Sequence, residues 1–258
     1  MSLPEKHRIR AAFSRAAVSY DAAAVLQREV CRQLLDMLRA SNARHMPADI
    51  LDAGCGTGYG ARLLASEWPS ARLAAADFAA AMAQKTASTT AAACVADIES
   101  LPFRNQAFDL WWSSLTVQWC DPRYVFAEAV RVLRPQGRLA LSTLGPGTYA
   151  ELRQAFAGID HHRHTLDFSE PAPLAAAAET AGLAQLQIVR RTITLHYPDL
   201  KTLLGAVKAI GANALGDGRR SGMMGKAAWQ ALSAAYEAQR TADGLPASYD
   251  VILLTARA

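Results

Sequence analysis

An α/β fold built on a mostly parallel sheet is predicted by three observations. Between residues 49 and 143, short apolar runs alternate with helix-forming segments, the pattern that sets parallel strands between two layers of helices. The stretch DILDAGCGTGYGARLL, residues 49–64, runs from a buried-strand pattern through Gly54, Gly56 and Gly58 into a helix, which is how such sheets build a nucleotide site. Two later segments, 185–196 and 249–255, carry strand patterns that would close the sheet.

Taken in order, residues 5–40 read as one helix, with Val25, Leu26, Val30, Leu34, Leu35 and Leu38 at helical spacing. Pro47 ends the connection. Strands at 49–53, 71–76, 92–96, 107–113 and 137–143 follow, with helices at 61–67, 79–87 and 121–133 between them. Arg134-Pro135-Gln136-Gly137 reads as a turn. Beyond Gly145-Pro146-Gly147, helices are expected at 148–158, 173–181, 199–214 and 223–240. Residues 160–171 form a His-rich loop, and LGDGRRSG forms another. This gives an N-terminal helical segment at 1–45 that covers the site. The core comprises 46–145, 185–196 and 248–258. Helical cap insertions occupy 146–184 and 197–247.

Composition narrows the class. Of the 258 residues 51% are hydrophobic and 19% charged, enough apolar material for a core and no case for disorder. No apolar run approaches the roughly 18 residues needed to cross a bilayer, and the basic start, with Lys6, Arg8, Arg10 and Arg15, lacks the apolar segment of a secretory signal. A cytoplasmic protein is expected. Cys31, Cys55, Cys94 and Cys120 are scattered, as reduced thiols would be. The net charge of +4 admits an acidic partner without requiring one.

Charge selects the nucleotide. A triphosphate loop would need Gly-Lys-Ser/Thr, which Gly58-Tyr59-Gly60 does not supply. A dinucleotide would place its diphosphate close to Asp52, at the tip of the first strand. S-adenosylmethionine carries a sulfonium and an ammonium instead, so an acidic strand end attracts it. The glycines let its backbone-facing parts lie against the turn. Asp77 ends the second strand, placed for the ribose hydroxyls. Asp97, in VADIES, is placed for the adenine amino group, with Ile98 against the ring.

The motifs LDAGCGTG, AADF, ADIESLPF, FDLWWSS and VLRPQGRLALST, in this order over roughly residues 45–145, resemble those of the class I S-adenosylmethionine-dependent methyltransferases. The resemblance implies a Rossmann-like, seven-stranded sheet with an antiparallel last strand and a helical cap. It also adds Phe78 and Ser113 to the cofactor-binding set of Asp52, Gly54, Gly56, Gly58, Asp77, Asp97 and Ile98. The fourth strand end, SSLTVQWC, lacks the Asn-Pro-Pro-aromatic signature used on base amines, and no Lys/Arg stripe is interleaved with aromatics, so nucleic acid is not expected.

The segments AAFSRAAVSYDAAAVLQ, SLTVQWC, FAGIDHHRHTLDF and LKTLLGAVKAIGAN are similar to the malonyl-acyl carrier protein O-methyltransferases of biotin synthesis. That similarity implies methylation of the free carboxylate of a malonyl thioester on an acyl carrier protein, or on coenzyme A, by a monomer without metal. Its departures are Arg163 where Pro is common and Leu166 where Asn is common. A carboxylate is already ionised at neutral pH, so the site needs donors to aim it rather than a base. Tyr20, His164 and Lys208 are the candidates. Tyr20 also reads as helix packing, His164 as a loop histidine of the His161-His162-x-His164 run, and Lys208 as a surface lysine. No carboxylate or cysteine stands at ligand spacing from that run. Basic groups at Lys6, Arg8, Arg10, Arg15 and Arg28, or at Arg219, Arg220 and Lys226, would steer an acidic carrier. The competing readings are another small carboxylate or quinone acceptor, a non-catalytic S-adenosylmethionine-binding protein and, disfavoured by Asp52, an NAD-linked oxidoreductase.

Overall fold

The computed structural model describes residues 6–41, 46–89, 92–159, 164–211 and 224–258. The expectations placed on His161, His162, Arg163, Arg219 and Arg220 lie outside the described residues.

The N-terminal region is not one helix. It divides into α1 (Lys6–Ala16), α2 (Tyr20–Ala23) and α3 (Val25–Ser41). No glycine or proline marks the breaks; packing makes them. The Ser19 hydroxyl donates to the carbonyls of Ala16 and Ala209, and the Arg28 guanidinium donates to the Asp21 carbonyl at 2.7 Å, so both bends are held by polar contacts. On α3, Leu26, Val30, Leu34 and Leu38 recur every four residues and are buried with Cys31 and Leu35. Each such side chain taken from water contributes about 2 kcal/mol.

The core strands are β1 (Asp49–Ala53), β2 (Arg72–Asp77), β3 (Ala92–Val95), β4 (Phe108–Ser114), β5 (Leu133–Leu144), β6 (Ala184–Tyr197) and β7 (Leu245–Arg257). Their order in the sheet is β3-β2-β1-β4-β5-β7-β6, and β7 alone runs against both its neighbours. Helices α4 (Tyr59–Glu67), α5 (Ala80–Ala87) and α6 (Pro122–Val132) connect the parallel strands, with a 3-10 turn at Val117–Trp119. The remaining helices are α7 (Ala150–Phe156), α8 (Pro171–Thr180), α9 (Leu200–Ala209) and α10 (Lys226–Glu237). The expected turn at Arg134–Gly137 lies inside β5. Its register against β4 slips there, Gln136 takes a left-handed φ of 68°, and the segment bonds to the Ala258 backbone instead of leaving the sheet.

Chain order reverses between β1 and β4, which pair side by side. The carboxyl ends of β1, β2 and β4 therefore open a crevice there, the position at which open α/β sheets bind ligands. Helix α1 lies against α5, and Phe13 meets Trp119 edge-on with ring centroids 5.5 Å apart.

Candidate active site

Three cavities meet at the strand ends, and Tyr20 lines all of them. The first is the adenosine end, formed by Gly54, Gly56, Asp77, Phe78, Asp97 and Ile98 with Phe13 and Trp119. Gly56 and Ala79 donate backbone N–H groups to the Asp77 carboxylate at 2.9 and 2.8 Å, which fixes its orientation. Burial raises the Asp77 pKa to about 6 against the pull of those two amides. Asp97 accepts from the Glu99 amide at 3.0 Å and from the Lys6 ammonium of α1 at 2.5 Å. Lys6 also pairs with Glu99 at 2.7 Å, so this lysine is engaged at the pocket rather than presented to a partner.

The second cavity is lined by Asp52, Cys31, Trp112, Gln27, Arg28 and Arg62, among others. Three buried polar atoms here have no hydrogen-bond partner: Asp52 Oδ2, Gln27 Oε1 and Trp112 Nε1. Unpaired buried polar groups cost about 1–3 kcal/mol each, so such a concentration marks a place where a ligand completes the bonding. Asp49 makes the contrast. It opens the same strand, takes a two-pronged contact from Arg72 at 2.6 and 2.7 Å and a third from Arg134 at 2.8 Å, and is pulled down to about 2, chiefly by Arg72. Asp52, three residues on, is pushed up to about 7 by burial and by the nearby Asp77 charge, with only the Ala61 amide pulling back. An ammonium suits Asp52 and Gln27 Oε1. A carboxylate suits the indole N–H and the two arginines, whose Nη1 atoms already anchor to the Asp21 and Thr57 carbonyls. The methionine zwitterion of S-adenosylmethionine has both groups, so the residues present fit that cofactor.

The glycines divide into two roles. A Cβ on Gly54, at φ +81°, would stand 2.3 to 2.8 Å from the Thr116 side chain, whereas one on Gly56, at φ +54°, meets nothing within 4 Å and points into open space that both cofactor cavities share. Gly54→Ala is expected to cost about 2–3 kcal/mol and lower the melting temperature by roughly 5–10 °C. Gly56→Ala is expected to cost about 1 kcal/mol in the free chain but to weaken S-adenosylmethionine binding at least about tenfold. Thermal melts paired with calorimetry separate the two. Gly58, at φ +85°, lines none of these cavities. It caps α4 and packs against Thr86 of α5, so its part is to close the turn.

The third cavity, about 220 Å³, is several times the share of one water molecule, about 30 Å³. Its wall is largely apolar, from Leu26, Leu144, Leu152, Phe168, Leu204 and Val207, with Gln27, Gln118, Tyr149, His164 and Tyr249 as polar groups. No arginine or lysine among the described residues lines it. His164 stacks flat on Phe156, centroids 3.3 Å apart and planes 7° from parallel. Tyr149 holds a left-handed backbone, φ 59° and ψ 38°, at the start of α7, and sits edge-on to Tyr249 at 5.0 Å. Burial raises the phenol pKa of Tyr149 to about 12 and that of Tyr249 further, so both stay protonated donors.

The structure thus gathers Tyr20, Asp52, Gly54, Gly56, Asp77, Phe78, Asp97 and Ile98 at the cofactor cavities and His164 at the third. Three expectations need correction, the first being Gly58, which lines none of these cavities. Lys208 is exposed on α9 and lines no cavity. The wall there comes from Leu204, Val207 and Ile210, and one residue of helix turns a side chain about 100° away from that stripe. Ser113 is buried on the opposite face of β4, beside Trp111, and Ser114 lines the pocket instead. Gln27 had no role in the sequence reading and Arg28 had only a steering one. Both looked like the polar side of an amphipathic helix.

A family model described as a methyltransferase domain matches residues 51–141. The malonyl-[acyl-carrier protein] O-methyltransferase of Dechloromonas aromatica (strain RCB) is 49% identical over 254 residues, covering 98% of this chain and 95% of that protein. The YcgJ protein of Bacillus subtilis aligns with a TM-score of 0.60 at 17% identity over 88% of this chain and 98% of its own. Phosphoethanolamine N-methyltransferase 2 of Haemonchus contortus, solved in complex with S-adenosyl-L-methionine, aligns with a TM-score of 0.57 at 16% identity over 95% of this chain and 57% of its own. These two likenesses speak for the fold.

Proposed function

The chain belongs to the malonyl-[acyl-carrier protein] O-methyltransferases, among the class I S-adenosylmethionine-dependent methyltransferases, and from its site we propose that it methylates the free carboxylate of a malonyl group held as a thioester on an acyl carrier protein. The observation that carries this reading is the single position of Tyr20 between a cavity for a cationic cofactor and a separate, mostly apolar cavity free of lysine and arginine among the described residues.

Bound S-adenosylmethionine supplies the activated methyl group. Asp52 would take its ammonium, Asp77 its ribose hydroxyls and Asp97 its adenine amino group, while Phe13, Phe78 and Ile98 would exclude water from the adenosine end. In the third cavity the acceptor needs no base, because a carboxylic acid is ionised at neutral pH. It needs neutral donors. A lysine or arginine would pair with the attacking oxygen and reduce its nucleophilicity, whereas phenol and amide groups orient the carboxylate and leave its charge intact. Tyr20 is a donor that lines all three cavities. Burial raises its phenol pKa well above the ordinary value, so it remains a donor throughout the working range. His164 and Tyr149 close the far wall.

The four cysteines are free thiols, which supports a reducing, cytoplasmic setting, and no helix among the described residues is long and apolar enough to cross a membrane. An acidic carrier would approach where the corner between α1 and α2 meets the end of α9, beside the exposed Arg15, Val18 and Lys208.

Incubation with methyl-labelled S-adenosylmethionine and malonyl-carrier protein is the test. Label should appear as a base-labile methyl ester, should not appear with acetyl-carrier protein, and should appear more slowly with malonyl-coenzyme A. Tyr20→Phe should lower kcat/KM by about 10- to 100-fold with an unchanged melting temperature. Equal labelling of malonyl and acetyl carriers would overturn the assignment of the acceptor.

A further inference from the structure

Three consecutive residues of α3 cross from one cavity to the next. Leu26 lines the acceptor cavity, Arg28 lines the methionine end, and Gln27 lines both. Apart from Tyr20, no other described residue is common to those two cavities. The phase of α3 is set by Leu26 and Val30, both buried, so position 27 is delivered to the boundary by the helix itself. Gln27 Oε1 is buried and receives no hydrogen bond. The other glutamine of the acceptor cavity is already committed: Gln118 donates to the Leu115 carbonyl at 2.7 Å and accepts from the Thr143 hydroxyl at 3.3 Å.

What must stand at this boundary follows from the charges on either side. The cofactor end is cationic and the acceptor is an anion. A carboxylate here would repel the acceptor, and an ammonium or guanidinium would repel the cofactor and bind the acceptor oxygen too firmly. An amide offers an acceptor and a pair of donors with no net charge. We propose that Gln27 aligns the two reactants, its carbonyl oxygen turned to the cationic methionine end of the cofactor and its NH2 group donating to the acceptor carboxylate. This assignment rests on the methyl-transfer reading above and names the group that orients the acceptor within it.

Gln27→Glu and Gln27→Leu in the full chain separate the two contacts. Gln27→Glu keeps the oxygen and loses the donors, so KM for malonyl-carrier protein should rise at least about tenfold while the Kd for S-adenosylmethionine, read by calorimetry, stays the same or tightens. Gln27→Leu loses both, so Kd and KM should both rise. Melting temperatures within about 2 °C of the parent chain would confirm that folding is intact. A purely structural role would instead lower the melting temperature and shift Kd, KM and kcat together in both variants. An unchanged KM in Gln27→Glu overturns the proposal. If the parent chain binds S-adenosylmethionine but methylates no malonyl carrier, the reading of the acceptor and the donor half of this proposal fall together. The oxygen half then stands or falls on whether Gln27→Leu weakens cofactor binding.

Discussion

Replacing Asp52 with asparagine is expected to raise the Kd for S-adenosylmethionine by about 100-fold or more without lowering the melting temperature of the free chain. The carboxylate is buried at the tip of β1 with Oδ2 unpaired, opposite Trp112 on β4. Gly60 allows this close packing, since a Cβ there would lie 3.0 Å from Asp52 Oδ2 and 3.2 Å from Trp112 Nε1. A charge so placed has only the Ala61 amide to offset its burial, and an asparagine oxygen can keep that contact, so the change does not weaken the fold. A cation bound against it in a dry site, however, gains about 3 kcal/mol or more over a neutral partner, which is the expected change in Kd. Calorimetry and a thermal melt on one sample decide it. A small change in Kd together with a large loss of stability would mean that Asp52 is a structural residue.

The second large effect is expected at Asp250. Its buried carboxylate takes two hydrogen bonds from Arg190 at 2.6 Å each and one from the Gly147 amide at 2.9 Å. Its backbone carbonyl accepts from the Gly145 amide, and its backbone N–H donates to the Thr148 hydroxyl oxygen at 3.1 Å. Burial works against the charge, but Arg190 and the Gly147 amide outweigh it, so its pKa falls below the ordinary value. This cluster holds the loop 145–149 that presents Tyr149 in its left-handed conformation. Asp250→Ala should cost about 3 kcal/mol, roughly 6–12 °C in melting temperature, because it strands a buried amide and releases the loop. KM for the acceptor should rise while the Kd for the cofactor holds. Arg190→Ala should cost less, since that guanidinium is half exposed and screened by water. If Asp250→Ala weakened cofactor and acceptor binding in parallel, the loop would not be specific to the acceptor cavity.

Much of the cofactor side is legible in the chain because its determinants are local. The glycine turn needs positive φ at Gly54 and Gly58, and Asp52, Asp77 and Asp97 each lie within two residues of the end of their strand. What depends on packing is not legible. Nothing between residues 5 and 40 signals the bends that make α1, α2 and α3; contacts with Ala209, Trp119 and Asp97 impose them. The phase at the end of β4 is hidden because Leu110 to Ser113 are all buried, so no alternation tells Ser113 from Ser114. Asp49 and Asp52 are the same residue type on one strand, and only Arg72 and Arg134, distant in sequence, reveal that one is satisfied and the other is not. Lys208 and Gln27 illustrate helix phase. A polar residue beside an apolar stripe faces solvent in the first case and lines two adjoining cavities in the second.

A buried acid at the strand ends that must ionise to hold a cationic cofactor makes binding depend on pH, and titration of S-adenosylmethionine into the chain at pH 7.5 and pH 5.5 reads that dependence. Asp52 in the free chain is raised to about 7, so it must lose a proton to bind a cation, and affinity falls as pH falls through that value; Asp77 is raised too, to about 6. The same groups hold more protons folded than unfolded between about pH 4 and pH 7, so their contribution to the stability of the free chain declines as pH rises through that window. The Kd should be about 20-fold weaker at pH 5.5, with proton release on binding visible as a buffer-dependent heat. A Kd that ignores pH, or tight binding of NADH in the same cell, would contradict it.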